Sequence, residues 1–392
     1  MCINKFRTTI FLWLSKAIKA VKNAVLNCLR FILWGRKPGG SVNHICVHRV
    51  GQIGDMICAV PAIYALRFGY PNAKITLFTS TGGKNESVLK DLWELFPWIN
   101  NIIQYSTHNS THYTPLLKRL RAESIDMWIA LPQDLTSLWV EARNMIFARM
   151  VSKNYGFGFS VNTTKFFRKA QEEHGHFDHE SQRLVKIIGQ ITNTEIEAPY
   201  VLPYVDELLP TITSNCTKTK GYLTQNYYQK RVMSIIPGSN REMNKWSIDN
   251  FVEIARRWIE CDGYVLILGG PNEQALQSHF DALPSQSLNF LCGSCSLLES
   301  TILLYNSAVV VGNDTGPMHI AAMLGRPTVS IFSARDFPTK WFPLSQRGSV
   351  HRHQTSCSPC FGQRCFSNDL CLKGISVDDV WQSVVRLGSI SG

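Results

Sequence analysis

Asp314-Thr315-Gly316-Pro317-Met318-His319 comes directly after the apolar run Ala308-Val309-Val310-Val311. The run reads as a buried strand, and Gly312, Gly316 and the polar residues break it. Pro317 suits the first position of a helix, where no amide donor is needed. Gly325 ends that helix, and residues 327–332 read as the next buried strand. In an open parallel sheet, ligands bind at such a carboxyl strand end, and the amides of a helix start favour an anion, most often phosphate. The plainer alternative is a turn in which Asp314 or Thr315 only caps the helix. Two more strand ends carry matching chemistry. After a strand at 232–236 come Ser239, Arg241 and Lys245, suited to phosphate oxygens by hydrogen bond and charge, or else part of a solvated loop. After a strand at 264–268 comes Glu273, a carboxylate able to accept from a ribose diol. Together at one sheet edge these residues read as a nucleotide-diphosphate site.

The amino-terminal half offers a different group. In Arg49-Val50-Gly51-Gln52-Ile53-Gly54-Asp55, Gly51 and Gly54 permit close approach of a ligand to backbone. Asp55 stands at a helix start, where a carboxylate stays ionised, as a general base must; capping that helix is its plainer role. The spacing is not Gly-x-Gly-x-x-Gly, so a dinucleotide fingerprint is not met. Late in the chain, Cys357, Cys360, Cys365 and Cys371 form C-x2-C-x4-C-x5-C. Four thiolates so close have the count for a structural Zn2+ or an iron–sulfur cluster; local disulfides and four free thiols are the alternatives. His174-Gly175-His176-Phe177-Asp178-His179 resembles a metal cluster, but polar residues before a helix are common and no second ligand group of fitting spacing lies near.

The elements that must position these groups alternate strand and helix. Strands are expected at 45–48, 74–79, 102–105 and 127–131, with helices at 56–68, 87–95, 115–122 and 135–149. After an aperiodic stretch at 192–226 the rhythm resumes, with helices at 248–260, from about 271 to 281, and at 297–306, and a strand at 288–291. That predicts an α/β chain of two doubly wound, Rossmann-like halves, as does a length of 392 residues, beyond the usual single core. The expected divisions are 1–41, a basic helix and linker; 42–205, the first domain; 206–229, a linker; 230–375, the second domain; and 376–392, a terminal helix.

Composition is globular, with 45% hydrophobic and 18% charged residues. The formal net charge is +11, yet residues 1–40 hold eight Lys and Arg and no acid, which leaves about +3 for the rest. From Thr9 to Trp34 one helical face collects Ile10, Leu14, Ala17, Ile18, Val21, Val25, Leu29 and Ile32, and the other Ser15, Lys16, Lys19, Lys22, Asn23, Asn27 and Arg30. Lysines every three residues exclude a spanning helix. The pattern fits a helix lying in the headgroups of an anionic leaflet, with docking on the protein itself or a partner subunit as the alternative. No stretch makes a convincing secretory signal, and scattered cysteines such as Cys46 and Cys58 read as small buried hydrophobes, so a reducing, cytosolic setting is expected.

Three stretches then resemble a known family. His48-Arg49-Val50-Gly51-Gln52-Ile53-Gly54-Asp55 with Pro61, Pro237-Gly238-Ser239 with Lys245-Trp246, and Asp314 to His319 are similar in order and spacing to glycosyltransferase family 9, the heptosyltransferases, over roughly 44–385. The resemblance implies the GT-B fold, two Rossmann-like domains facing a cleft. It implies metal-independent transfer, with inversion, from a nucleotide-diphosphate sugar, plausibly ADP-heptose, to a lipid-linked glycan such as lipopolysaccharide core. By the resemblance Asp55 is the base, Lys245 contacts donor phosphate, and Glu273 binds ribose. Asp314, Thr315, Gly316 and His319 form the phosphate-binding element. No cofactor is required for catalysis and no nucleic-acid partner is expected. The expected place is the cytoplasmic membrane's inner face, peripherally bound. A nucleotide-sugar epimerase on the same fold and a non-catalytic nucleotide-binding subunit of an envelope assembly are the competing readings.

Overall fold

The computed structural model describes residues 2–36, 41–80, 92–105, 113–152, 154–162, 167–174, 177–193, 197–216, 219 and 230–388. Residues 37–40 of the expected linker, 87–91 of the helix expected at 87–95, the loop at 106–112, Gly175 and His176 of the histidine cluster, and 220–229 of the expected junction lie outside the described residues. The chain divides into two compact units, Met1–Lys90 with Phe96–Ala198, and Asp91–Leu95 with Pro199–Gly392.

The first unit runs α1 (Cys2–Trp34), β1 (His44–Val50), α2 (Ile53–Gly69), β2 (Lys74–Ser80), β3 (Asn101–Gln104), α3 (Tyr113–Ala122), β4 (Met127–Ala130), α4 (Leu138–Val151), β5 (Tyr155–Phe157), α5 (Arg168–His174) and α6 (Glu180–Thr192). Its five strands are parallel, in the order β3-β2-β1-β4-β5. β1 and β4 are buried along nearly their whole length, as strands covered by helices on both faces must be.

The second unit runs α7 (Val205–Asn215), β6 (Val232–Ile236), α8 (Ile248–Glu260), β7 (Tyr264–Ile267), β8 (Leu288–Phe290), α9 (Leu297–Tyr305), β9 (Val309–Asn313), α10 (Gly316–Met323), β10 (Thr328–Phe332), β11 (Gly348–Arg352), α11 (Leu370–Lys373) and α12 (Val377–Gly388). Its parallel order is β11-β10-β9-β6-β7-β8. Met233, Ile235, Val265, Ile267, Val309 and Val311 of the strands pack with Phe251, Ile254 and Trp258 of α8 to make its core.

Several expectations need correction. Part of the expected linker is the helix α7, which belongs to the second unit. Residues 93–95 form only a 3-10 turn, and the helix expected from about 271 to 281 is a 3-10 stretch, Pro271–His279. The terminal helix buries Val380 and Val384 in the second unit's core. The edge strands β5 and β11 had no apolar signature; β11 reads Gly-Ser-Val-His-Arg and is half-exposed.

Of the two readings of the amino-terminal helix, docking on the protein itself is the one seen. It docks on its own unit, against α4, α5 and β5, and it does so through its polar side. Lys19 Nζ donates to Asn162 Oδ1 at 2.8 Å, and Arg30 Nη1 to Tyr155 Oη at 3.1 Å. Asn23 exchanges bonds of 2.9 and 2.8 Å with the backbone of Val161, and Gln171 Nε2 donates to Ser15 Oγ at 2.8 Å. Leu26 enters the core with Trp128 and Met145. At the helix end, the Trp34 ring lies so close to Gly156 that a Cβ there would stand 2.6 Å from it.

Candidate active site

In the first sheet the chain builds outward from β1 through β2 to β3, then returns to β4 on the other side of β1. The crevice between the carboxyl ends of β1 and β4 is therefore the topological switch point, where open α/β sheets take ligands. Asp55 stands there, at the third position of α2. Its Oδ2 accepts from the Gln52 amide at 2.9 Å, so the capping role is real. The carboxylate is a quarter exposed and its Oδ1 lies 3.6 Å from Arg49 Nη2. Gly51 makes room for it, since a Cβ at residue 51 would overlap the Asp55 side chain. Gly54 lies in the same first turn, partly exposed.

Arg49 holds this arrangement from beneath. It is completely buried, donates from Nη1 to the carbonyls of Leu131 and Pro132 at 3.2 and 2.8 Å, and pairs through Nη2 with Glu180 Oε1 at 3.1 Å. Glu180, also buried, takes two bonds from Arg183, 2.6 and 2.8 Å long. One carboxylate thus sits between two guanidiniums, and the surplus positive charge lies on the side where Asp55 stands. His48 packs among the rings of Phe78, Tyr105 and Trp128, with Nε2 3.0 Å from Tyr105 Oη. Burial first, then Arg49 and Arg143, pull its pKa down to about 4, so its ring is neutral at pH 7.

The second sheet repeats the logic. Its strands build from β6 to β7 and β8, then cross to β9 on the far side of β6. Ile236 pairs with Gly312, so the loops after β6 and β9 emerge side by side. Asn313, completely buried, fastens them: Oδ1 accepts from the Trp246 amide at 3.0 Å and Nδ2 donates to the Pro237 carbonyl at 2.7 Å. Ser239 Oγ donates to the Asp314 carbonyl at 3.2 Å, and Asn244 Nδ2 to Asp314 Oδ2 at 2.9 Å. Ser333 Oγ, beyond β10, donates to Asn244 Oδ1 at 2.7 Å. Glu273 reaches the same edge: a Cβ on Gly238 would lie 2.7 Å from its Cγ and Cδ, while Glu273 Oε2 accepts from the Gly270 amide at 2.9 Å. Thr315 is the N-cap of α10 and makes no side-chain capping bond; Gly316 opens the helix, and His319 is buried within it.

Ser239, Arg241, Glu273, Asp314, Thr315 and Gly316 therefore gather at the carboxyl edge of β6, β7 and β9. Lys245 lies at the rim, with Nζ 2.8 Å from Glu242 Oε2. Two residues not singled out from the sequence join them. Asn244 ties Asp314 to Ser333. Arg335 donates from Nε to the Gly362 carbonyl at 2.8 Å, and its pKa is held below the usual arginine range by burial and then by Arg241. Two guanidiniums that feel each other's charge favour an anion between or beside them. The sequence signal for Arg335 was its place after the strand next to β9. Cys357, Cys360, Cys365 and Cys371 are half-buried and form no disulfide with one another. Burial raises the Cys371 thiol, with Cys365 and Cys357 near enough to add to the rise. Among the described residues no three His, Cys, Asp or Glu side chains stand grouped as they would around a metal ion.

Two parallel Rossmann-like units with polar crevices at their switch points place the chain in the GT-B class. Residues 113–370 match the family model "Glycosyltransferase family 9 (heptosyltransferase)". The chain belongs to that family and is a glycosyltransferase. It is 22% identical over 361 residues to lipooligosaccharide heptosyltransferase 2 of Campylobacter jejuni, covering 88% of this chain and 99% of that one. The structure of Escherichia coli ADP-heptose lps heptosyltransferase II is similar with a TM-score of 0.65 and 20% identity, over 88% of this chain and 98% of that one. A family 9 glycosyl transferase from Veillonella parvula is similar with a TM-score of 0.70 and 16% identity, over 90% and 99%.

Proposed function

We propose that this glycosyltransferase moves a heptose, with inversion, from ADP-heptose to the core of a lipopolysaccharide or lipooligosaccharide. Asp55 accepts the proton of the acceptor hydroxyl as that oxygen attacks the anomeric carbon. The bond from that carbon to the diphosphate breaks on the opposite face, and ADP leaves with the electron pair. A carboxylate is a weak base for a sugar hydroxyl, so the proton moves late, as the glycosidic bond to ADP fails. Ser239, Arg241, Lys245, Thr315, Gly316 and His319 hold the diphosphate, Glu273 the ribose, and Asp314 the nucleotide side of the site. The transfer needs no metal in this reading, so cationic side chains and helix amides stabilise the leaving charge. The first unit takes the acceptor and the second the donor, and the protein works peripherally on the inner face of the cytoplasmic membrane.

The observation that carries this reading is the placement of Asp55. It is the part-exposed carboxylate at the β1–β4 switch point, held between the Gln52 amide and Arg49. The test is Asp55→Asn, assayed for heptose transfer from ADP-heptose to a heptose-deficient core lipid and for thermal stabilisation by ADP-heptose alone. Transfer is expected to fall at least about a thousandfold while stabilisation by the donor persists. Full transfer by Asp55→Asn overturns the base assignment. An isomerised donor formed by the wild-type protein without acceptor favours the epimerase reading instead.

A further inference from the structure

The docking of α1 through its polar side turns its apolar side outward. Trp13, Val21 and Ile32 are 67%, 64% and 77% exposed, and Ile10 and Val25 lie with them on that face. The neighbouring helix α4 does the same. Its inner positions Met145 and Ala148 are in the core, whereas Trp139, Ile146 and Met150 recur at helical spacing on an exposed stripe, with Trp139 83% exposed. Two packed neighbours that each leave an apolar stripe in water are unusual for a surface with no occupant.

Charge identifies the occupant. Residues 1–40 carry eight cations and no acid. Lys16, Arg36 and, on α4, Arg143 are exposed, while the one acid of α4, Glu141, is buried. An apolar stripe that carries two tryptophans, and whose exposed charged neighbours on α1 and α4 are cations, matches the headgroup boundary of an anionic bilayer. A second copy of the chain would set one cationic segment against another across the two-fold axis, which works against self-association. At 33 residues α1 is about 50 Å long, and no described helix is long and apolar enough to cross a membrane. It lies along a surface.

We infer that the outward stripes of α1 and α4 form one rigid two-helix surface that binds an anionic lipid leaflet. This rests on the peripheral localisation proposed above and changes what does the binding. The helix is not a tail that folds on the lipid; it is already ordered by the first unit, so binding does not bear the cost of ordering it.

The full chain is tested by flotation with vesicles of phosphatidylcholine alone and of phosphatidylcholine with phosphatidylglycerol. Two paired variants are compared with wild type, Val21→Glu with Val25→Glu on α1 and Trp139→Glu with Ile146→Glu on α4. All four side chains are exposed, so unfolding temperatures should match wild type, and a sample that melts early is replaced by the milder serine pair at the same positions. Binding is expected only to the anionic vesicles, and each pair should weaken it at least about tenfold. If the α1 pair weakens binding and the α4 pair does not, the two-helix surface is wrong while peripheral localisation stands. If wild type binds neither vesicle, the localisation itself is wrong. Equal binding to neutral vesicles overturns the choice of an anionic leaflet. A concentration-dependent dimer that the same substitutions dissolve assigns the surface to a second copy instead.

Discussion

Removing the negative charge of Glu180 should destabilise the first unit more than any other single-atom change near its crevice. Glu180 is buried and meets two buried guanidiniums, Arg49 at 3.1 Å and Arg183 at 2.6 Å. At an effective dielectric of about 20 each contact is worth about 5–6 kcal/mol, and the desolvation of three ions returns much of that. Breaking such a pair from one side leaves a net loss of about 3–5 kcal/mol. Glu180→Gln leaves two like charges facing one another without the carboxylate between them. For a unit of this size that is a fall of about 10 °C in its unfolding temperature. Arg183→Met added to Glu180→Gln should recover part of it, because one of the two stranded charges is gone. The substitution also reaches the chemistry. Arg49, freed from Glu180, has Asp55 at 3.6 Å as its remaining carboxylate; closing that gap ties up the proposed base. Transfer should therefore fall while donor-induced stabilisation, read on the second unit, stays. The assay is calorimetry of the full chain, scored on the transition that ADP-heptose does not move, beside steady-state transfer. A Glu180→Gln protein within about 1 kcal/mol of wild type would refute the buried-triad reasoning.

The same crevice gives two further outcomes. Burial lifts the Glu141 carboxyl to about 7, against a hydrogen bond from Thr136 and the charges of Arg183 and Arg143. The folded state thus keeps a proton that the unfolded chain has released, and Glu141's contribution is fullest below about pH 4.5 and lost as pH rises through about 7. Glu141→Gln should raise stability at pH 8 by up to about 3 kcal/mol and change little at pH 4.5; an equal effect at both pH values in urea titrations speaks against it. Gly51→Ala puts a Cβ into the space of the Asp55 side chain and should lower kcat about a hundredfold with donor KM unchanged; unaltered kcat means that the carboxylate tolerates displacement.

The strand ends were readable because their signals are local. Val309 to Val311 and Val232 to Ile236 are short apolar runs cut off by glycine and proline, and in a βα rhythm the residues after such a run must lie at the carboxyl edge. Residue order also implied two doubly wound halves, although not which side chains fasten their strand ends. Those fastenings are long-range. Arg49 meets Glu180 across 131 positions and Asn244 meets Asp314 across 70. An arginine inside a buried strand is, in sequence, indistinguishable from one at a strand's exposed end. Arg335 escaped for a similar reason, since nothing in its neighbours announces that Arg241 lies beside it.

For the helix α1 the sequence left open which face turns inward. Amphipathicity says that two faces differ, not which of them faces inward. An apolar face is usually the buried one because burial there gains free energy without leaving polar groups unpaired. Here several inward polar groups met matching partners: Lys19 with Asn162, Asn23 with Val161, Arg30 with Tyr155. Leu26 and Trp34 supplied the apolar contact between them. On the lipid surface proposed above, the polar bonds and the lipid would be two halves of one arrangement. Deleting residues 1–40 therefore cannot test membrane binding, because it also strips Leu26 and Trp34 from the first unit's core. Substitutions confined to the outward stripe leave those contacts in place and separate the anchor from the fold.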